Sequence, residues 1–440
     1  MANKKCFFEL LDNNLLSENK LRELAYETGF MKRHAKKIDA PDLLMHICLE
    51  SLNGSPSYND LAARIDITNA NSVSKQAICK RSNDSCVLFF QAVLSCLIKS
   101  KITGSASTLI NECDKFKRVL IQDSTIIKLP LRLFNIFSGV SNLHSASCNI
   151  RIQCVYELLT GHFLSFSIDP YSKNDAASAP ELEIQEGDLV LRDRGYLTNA
   201  EVKRHIDSQA DCIYRHKQNY TYRDPITDKI INLTKRLKCK KRLNIEVCLN
   251  DKYRTKIRIL AEPVSEKIAN ERRRKAKREM RGHNPSTEIL LLMSWTIFIT
   301  TISDKDFSFS KILSIYNLRW KIENIFKTWK SCMNFDRVHN VSQKQLIILL
   351  TARLIMIVIC THHLFNYYYV HIQKKHSKDL SMMKFINYLM KNIEILILLL
   401  SNINKTKPKE NSIILSIVKY CSYDSRKRQN MMQMITFALS

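Results

Sequence analysis

The sequence predicts an α/β protein whose sheet occupies the middle of the chain, with helical regions on either side. Before residue 101 and after residue 345, apolar residues recur at spacings of three and four, which is typical of helices. Between residues 117 and 301, short runs of β-branched and aromatic residues indicate strands. Two of these runs end in an aspartate, at Asp123 and Asp193, where open α/β sheets place functional sites.

The composition limits the range of functions. The 440 residues allow two or three domains, and an apolar content of 45% is typical of a globular protein. The formal net charge is +26, with basic residues along the whole chain. Such a surface attracts polyanions, of which nucleic acid is the main candidate and an anionic membrane surface the alternative.

The cysteines and the apolar segments predict a cytoplasmic protein. The 14 cysteines form no Cys-x2-Cys pair, and the first residues lack the apolar core of a signal peptide. Cys360, His362 and His363 are interpreted as core residues, because nothing nearby completes a zinc site. The apolar run 346–364 is interrupted by Arg353, which favours a buried helix over a membrane span.

Two short helices are predicted near the N-terminus, at 57–65 and 71–81, with Ser74 capping the second. The second helix would expose a polar face of Lys75, Gln76, Lys80 and Arg81. A face of this kind suits a helix that enters a DNA groove. A basic helix that only faces solvent explains the same residues, and the local sequence leaves both interpretations open.

The pattern of residues 149–301 predicts a sheet that is interrupted by an insertion. A hairpin is predicted at about 149–168, and a helix after Asp193, although an Asp193 that merely starts a turn is the alternative. Polar alternation at 220–260 and a basic helix at 267–281 are interpreted as a β-rich insertion at about 217–290. The apolar run 289–301 then predicts a buried strand, and the basic helix either contacts phosphate or faces solvent.

The segment 316–330 predicts one helix with two faces. The apolar face comprises Leu318, Ile322, Ile325 and Trp329. The opposite stripe, about 60° wide, comprises Tyr316, Arg319, Glu323 and Lys330. An ordinary surface ion pair between Arg319 and Glu323 is the alternative interpretation.

The spacing Tyr-x2-Arg-x3-Glu-x6-Lys in this helix resembles the signature of bacterial insertion-sequence transposases of the insertion-sequence-four type. Asp123 after its strand and Asp193 in Asp-Arg-Gly-Tyr resemble the two aspartates of that family, so that the resemblance spans roughly residues 57–330. It implies a ribonuclease H-like catalytic core, an Asp-Asp-Glu triad of Asp123, Asp193 and Glu323, and cut-and-paste transposition.

The resemblance also implies a cofactor and partners. The three carboxylates would hold two Mg²⁺ or Mn²⁺ ions, since hard cations prefer oxygen ligands, and Tyr316, Arg319 and Lys330 would bind phosphates. A homodimer would bind double-stranded DNA, both as transposon terminal inverted repeats and as target. The location would be the bacterial cytoplasm, at the nucleoid, without a membrane.

Trp295 lies in the strand that closes the insertion, with Met293 and Ile297 predicted on the same side. In the family that the sequence resembles, a tryptophan at this place holds a base flipped out of the duplex, which lets cut ends close as hairpins. Trp295 is therefore predicted to contact DNA. A core role is the alternative, since tryptophan buries well.

These interpretations divide the chain into three regions. Residues 1–112 are predicted as a helical DNA-binding region, 113–335 as the catalytic core and 336–440 as a helical region that is a candidate for dimerisation. A DNA-binding relative without catalysis and a stand-alone nuclease on the same fold are the alternative functions. Intact acids at all three positions disfavour the DNA-binding relative without catalysis. Cleavage at defined ends would separate a transposase from a stand-alone nuclease.

Overall fold

The computed structural model describes residues 16–33, 37–69, 72–100, 115–139, 146–172, 182–218, 220–238, 241–279, 284–403, 412–423 and 431–439. The chain forms two compact units. The first comprises residues 1–111, 125–172 and 321–431, and the second comprises 112–124, 173–320 and 432–440. The end of the predicted basic helix, at Arg281, lies outside the described residues.

The described part of the chain contains nine strands, which confirms the α/β class. They are β1 (Arg118–Lys128), β2 (Asn149–Glu157), β3 (His162–Pro170), β4 (Asp188–Arg192), β5 (Asp211–Arg215), β6 (Tyr222–Arg223), β7 (Leu243–Leu249), β8 (Lys256–Pro263) and β9 (Trp295–Thr300). In the second unit the order is β1-β4-β5-β9-β8-β7-β6. In the first unit, β2 and β3 form the predicted hairpin.

β1 and β4 are parallel neighbours whose pairing runs from Arg118 opposite Asp188 to Gln122 opposite Arg192. At the first pair, Arg118 Nε and Nη2 donate to the Asp188 carboxylate at 2.8 and 2.6 Å. The Asp188 side chain is completely buried, and it also accepts from the Gln185 N–H at 2.8 Å. A slip of one residue would separate this pair and turn the apolar side chains to the other face, so the pair favours one register.

The inserted strands extend the sheet of the second unit instead of forming a separate β-rich body. β9 pairs antiparallel with β5 along one edge and with β8 along the other. The predicted strand 289–301 is correct only for Trp295–Thr300, because Thr287–Leu292 is a helix whose first turn is capped by Ser286. A short apolar run does not distinguish a buried strand from a buried helix.

The helices are α1 (Glu18–Glu27), α2 (Ala40–Ser51), α3 (Tyr58–Asn69), α4 (Lys75–Arg81), α5 (Asp84–Lys99), α6 (Asn199–Asp207), α7 (Leu233–Lys238), α8 (Glu266–Glu279), α9 (Thr287–Leu292), α10 (Phe309–Asn317), α11 (Trp320–Cys332), α12 (Gln343–Ile357), α13 (Asn366–His376), α14 (Met382–Lys391), α15 (Ile393–Ile403), α16 (Ser412–Cys421) and α17 (Met431–Leu439). A π-helical stretch, Val358–Phe365, joins α12 to α13.

In the first unit, α12 packs against the N-terminal helices α2 and α5, which cover its apolar surface. Arg353 of α12 is buried and donates to backbone carbonyls on both sides of this contact, namely those of Ser51, Gly54, Phe335 and Arg337. The continuous stretch Gln343–His376 is long and apolar enough to cross a membrane, but 94% of its most apolar window is buried inside the protein. The predicted buried helix is therefore confirmed.

Asp188→Asn is expected to lower the free energy of unfolding by about 3 kcal/mol, because it weakens the charge-assisted pair that the buried Asp188 carboxylate makes with the half-buried Arg118. The matched control is Asp84→Asn, which weakens an exposed pair with Lys344 and is expected to cost less than about 1 kcal/mol. Denaturant unfolding followed by circular dichroism measures both changes. Equal losses in the two variants would contradict a special role for Asp188.

Candidate active site

The register of β1 and β4 places the two predicted aspartates next to each other. Asp123 and Asp193 directly follow the last pair, Gln122 opposite Arg192, and neighbouring strands lie about 4.8 Å apart. Both aspartates are half-buried. The prediction that β1 ends at Asp123 is wrong, since β1 continues to Lys128. Only its pairing with β4 ends there, because the chain leaves β4 at Asp193 and enters a short 3₁₀ turn.

Buried contacts hold the chain immediately before Asp193. The Arg192 guanidinium donates to Glu201 at 2.5 Å and to the Tyr214 hydroxyl at 3.2 Å. The Thr198 hydroxyl caps α6 by accepting from the Glu201 N–H at 3.1 Å. The Glu201 carboxylate, however, binds Arg192 and Arg204 instead of completing the cap. The Arg192–Glu201 ion pair therefore connects strand β4 to helix α6 next to Asp193.

A guanidinium binds the first aspartate. Arg319 Nη1 donates to Asp123 Oδ2 at 2.5 Å, and the Ser124 N–H donates to Asp123 Oδ1 at 2.8 Å. The side chains of Arg319 and Asp123 are 9% and 17% exposed, so solvent ions screen the pair only weakly. Arg319 was predicted to bind phosphate; in this structure its guanidinium binds a carboxylate of the predicted triad.

The predicted single helix 316–330 is two helices, α10 and α11. The N–H groups of Leu318 and Arg319 bond to carbonyls three residues back, which tightens the chain into a turn between the helices. The prediction of one straight polar stripe is therefore wrong. The sequence does not reveal the break between the helices, because the helical spacing of apolar residues continues across it. Tyr316 is buried, and its hydroxyl donates to the Arg192 carbonyl at 3.4 Å. Burial raises the pKa of Tyr316, so the phenol is neutral.

Glu323 and Lys330 lie in α11, in the first unit. Glu323 is half-buried in the first turn of the helix. The Lys330 ammonium donates to the Ile126 carbonyl at 2.9 Å, and burial lowers the pKa of Lys330. The two side chains line one shallow depression, together with Phe326, Lys327 and Ser331.

Trp295 is 9% exposed and belongs to the apolar core of the second unit, as the core interpretation predicts. It also lines a pocket whose other walls are Arg194, Arg215, His216, Gln218, Arg272, Leu292, Met293 and Ile297. Burial lowers the pKa of His216 to about 4, so the positive charge of the pocket comes from its arginines. Sequence reasoning missed these arginines because they come from separate segments, and no spacing signal connects them.

The predicted N-terminal helix pair is confirmed as α3 and α4, with the Ser74 hydroxyl accepting from the Ala77 N–H at 3.3 Å. Lys75, Gln76 and Lys80 are exposed. Arg81 does not share their exposed face, because its Nη1 donates to the Ile38 carbonyl at 2.7 Å. Burial also lowers the pKa of Arg81.

Among the described residues, no group of three or more His, Cys, Asp or Glu side chains has an arrangement that could hold a metal ion. The chemistry of the strand-end donors nevertheless suits a hard divalent cation. Asp123 and Asp193 supply carboxylate oxygens, the ligands that Mg²⁺ prefers. A cation would compete with Arg319 for the Asp123 carboxylate.

Paired acids at adjoining ends of parallel strands, in a chain of net charge +26, are typical of enzymes that act on nucleic-acid phosphates. Residues 114–359, more than half of the chain, match the family described as Transposase DDE domain. The chain therefore belongs to the transposase DDE domain family, whose members are DNA-cleaving and DNA-transferring enzymes.

Similar proteins cover most of the chain. The transposase for insertion sequence element IS231B of Bacillus thuringiensis subsp. berliner is 27% identical over an alignment of 404 residues, which covers 87% of this chain and 84% of that protein. The transposase for IS1151 of Clostridium perfringens is 26% identical and covers 79% of this chain and 78% of its own length. The predicted resemblance to insertion-sequence transposases is confirmed, while the insertion-sequence-four type stays a prediction.

A chain in the cryo-EM structure of a piggyBac transposase synaptic complex with hairpin DNA is also similar, at 11% identity. The match covers 97% of this chain and 86% of that chain, with a TM-score of 0.42. A TM-score of this size does not establish a shared fold.

Proposed function

We propose that the protein binds the ends of its insertion sequence and carries out metal-dependent cleavage and strand transfer on a ribonuclease H-like core. The observation that carries this proposal is the β1–β4 register, which sets Asp123 beside Asp193. Membership of the transposase DDE domain family supports the same assignment. The partners would be terminal inverted repeats and target DNA, bound by a homodimer in the bacterial cytoplasm.

In this proposal, Asp123, Asp193 and Glu323 hold two Mg²⁺ or Mn²⁺ ions. When bound, such ions activate the attacking oxygen and stabilise the leaving oxygen of the phosphodiester. A DNA phosphate is an alternative partner for the Arg319 guanidinium, because a guanidinium binds two oxygens of a carboxylate or of a phosphate through paired hydrogen bonds. Transfer of Arg319 to phosphate would release the Asp123 carboxylate for the metal. Lys330 and Tyr316 are assigned to neighbouring phosphates.

We also propose that the cut ends close as hairpins and that the Trp295 pocket receives an extruded base. Extrusion costs a few kcal/mol of lost stacking, and an aromatic platform returns roughly 1–3 kcal/mol. Trp295 supplies the ring, and Arg194, Arg215 and Arg272 offer positive charge for the adjoining phosphates. At the other end of the chain, Lys75, Gln76 and Lys80 are assigned to the terminal repeat.

Asp123→Asn, Asp193→Asn and Glu323→Gln are each expected to slow cleavage by about 10³-fold or more, because each removes a metal ligand. DNA affinity should change little. The measurement is gel analysis of DNA carrying the element's ends, with Mg²⁺ or Mn²⁺ and with a chelator. Asp207→Asn removes an exposed carboxylate from α6 and is the control. Normal cleavage by one triad variant would exclude that residue from the triad.

Lys75→Ala, Gln76→Ala and Lys80→Ala are expected to weaken binding of the terminal repeat. Loss of a base contact lowers the discrimination between the terminal repeat and random DNA. Loss of a phosphate contact weakens binding to the repeat and to random DNA equally, and it reduces the salt dependence of the affinity by about one unit of slope. The full chain is required, because α2 and α5 pack against α12. Lys99→Ala, on the exposed side of α5, is the control. Unchanged footprints for all three variants would place recognition elsewhere.

Trp295→Ala is expected to leave the first nick nearly normal but to slow hairpin formation about 5- to 150-fold, which corresponds to roughly 1–3 kcal/mol of lost stacking. Trp295→Phe keeps a ring and should recover much of the rate. Gels of end-cleavage intermediates measure these steps, and melting curves measure stability. Ile299→Ala, in the same core on β9, is the control for destabilisation alone. Normal hairpin kinetics in a folded Trp295→Ala protein would end the assignment.

A further inference from the structure

The basic helix α8 is fastened to the fold by two of its arginines. Arg272 Nη1 donates to the Trp295 carbonyl at 3.0 Å, and its Nη2 donates to the Thr296 hydroxyl at 3.3 Å. Arg273 donates to the Ser294 hydroxyl and to the Leu290 carbonyl. At about 100° per residue, Arg272 and Arg273 share one side of the helix with Ala269, which is buried. This side therefore packs against the start of β9.

The solvent-exposed surface of α8 presents a stripe of cations. We call it the α8 stripe, and it comprises Lys267, Arg274, Lys277 and Arg278. In the part of the chain that the structure describes, these four side chains make no ion pair or hydrogen bond. Glu271 lies on the same side, so the stripe carries a net charge of +3.

Three cations of the α8 stripe lie close enough along the helix to repel one another. Like charges three and four residues apart destabilise a helix by roughly 0.2–0.5 kcal/mol per pair, and Arg274, Lys277 and Arg278 have these spacings. The contacts of Arg272 and Arg273 hold the helix in place despite this repulsion. An anionic partner would convert the repulsion into attraction.

The dimensions of the stripe fit a nucleic-acid backbone. From Lys267 to Arg278 the helix rises about 17 Å, which equals the rise of roughly five base pairs along the axis of a DNA duplex. Arg272, on the inner side of the same helix, lines the Trp295 pocket. A duplex with one nucleotide in that pocket could therefore pass along α8.

We propose that the α8 stripe binds the phosphate backbone of duplex DNA. This proposal rests on the proposed transposase function and adds a binding surface outside the triad and the Trp295 pocket. Two sources of DNA share the required chemistry, the element's own end and the target. The contacts are made to phosphates and are independent of base sequence.

The test compares two triple variants of the full chain that lose the same charge. Arg274→Gln/Lys277→Gln/Arg278→Gln removes three of the four cations of the stripe, and Lys229→Gln/Lys256→Gln/Lys305→Gln removes three exposed, scattered lysines of the same unit. Affinities for an end duplex and for a random duplex are measured across a salt series. Strand transfer into a plasmid is measured with pre-bound ends.

The stripe variant is expected to lose about tenfold or more in affinity at about 0.15 M salt, with a salt slope smaller by about 2–3. The scattered variant should lose much less. Weaker end binding assigns the stripe to the element's end, and normal end binding with lost strand transfer assigns it to the target.

Equal behaviour of the two triple variants in both assays would overturn the stripe proposal and leave the proposed function intact. Failure of the unaltered chain to bind any duplex would overturn both. Circular dichroism spectra and melting curves that match those of the unaltered chain would show that the variants keep its overall fold.

Discussion

The parallel pairing of β1 with β4 is the constraint on which the candidate site depends. Two parallel strands in fixed register bring residues distant in sequence to the same end of the ladder, and here that end carries Asp123 and Asp193. The ion pair between half-buried Arg118 and buried Asp188 secures the opposite end. Near the site, the contacts of Arg192 with Glu201 and Tyr316 secure β4. The strands that carry the two aspartates are thus held by contacts of residues outside the proposed triad.

Placing acids together has an electrostatic cost that the chain offsets with arginine. The Arg319 guanidinium pairs with Asp123 and lies 5.7 Å from the centre of the Tyr316 ring. Because the side chains are shielded from water, an uncompensated carboxylate would be unfavourable there. The break between α10 and α11 allows this arrangement, since Arg319 sits in the turn rather than on a straight helix. In the proposed function, a metal ion would neutralise the Asp123 carboxylate while Arg319 binds a phosphate.

The large positive charge of the chain has several different physical roles. Arg353 is buried and satisfies backbone carbonyls, which ties N-terminal and C-terminal helices into one unit. Arg272 and Arg273 anchor α8, whereas Arg274, Lys277 and Arg278 in the same run face outward. A net charge alone therefore overstates the surface available to DNA. The orientation of each cation decides whether it supports the fold or remains free for a partner.

Sequence alone determined the α/β class, the helical regions around the sheet, the two strands that lead to Asp123 and Asp193, and the transposase resemblance. These features depend on local periodicity and on motifs within a few residues, which a sequence displays directly. Only the tertiary structure decided that the inserted strands join the main sheet, that Arg319 binds Asp123 and that Arg81 binds a backbone carbonyl. It alone gathered Arg194, Arg215, Arg272 and Trp295 around one pocket. The physical reason is that strand pairing and side-chain contacts join residues far apart in the chain, and their spacing carries no periodic signal.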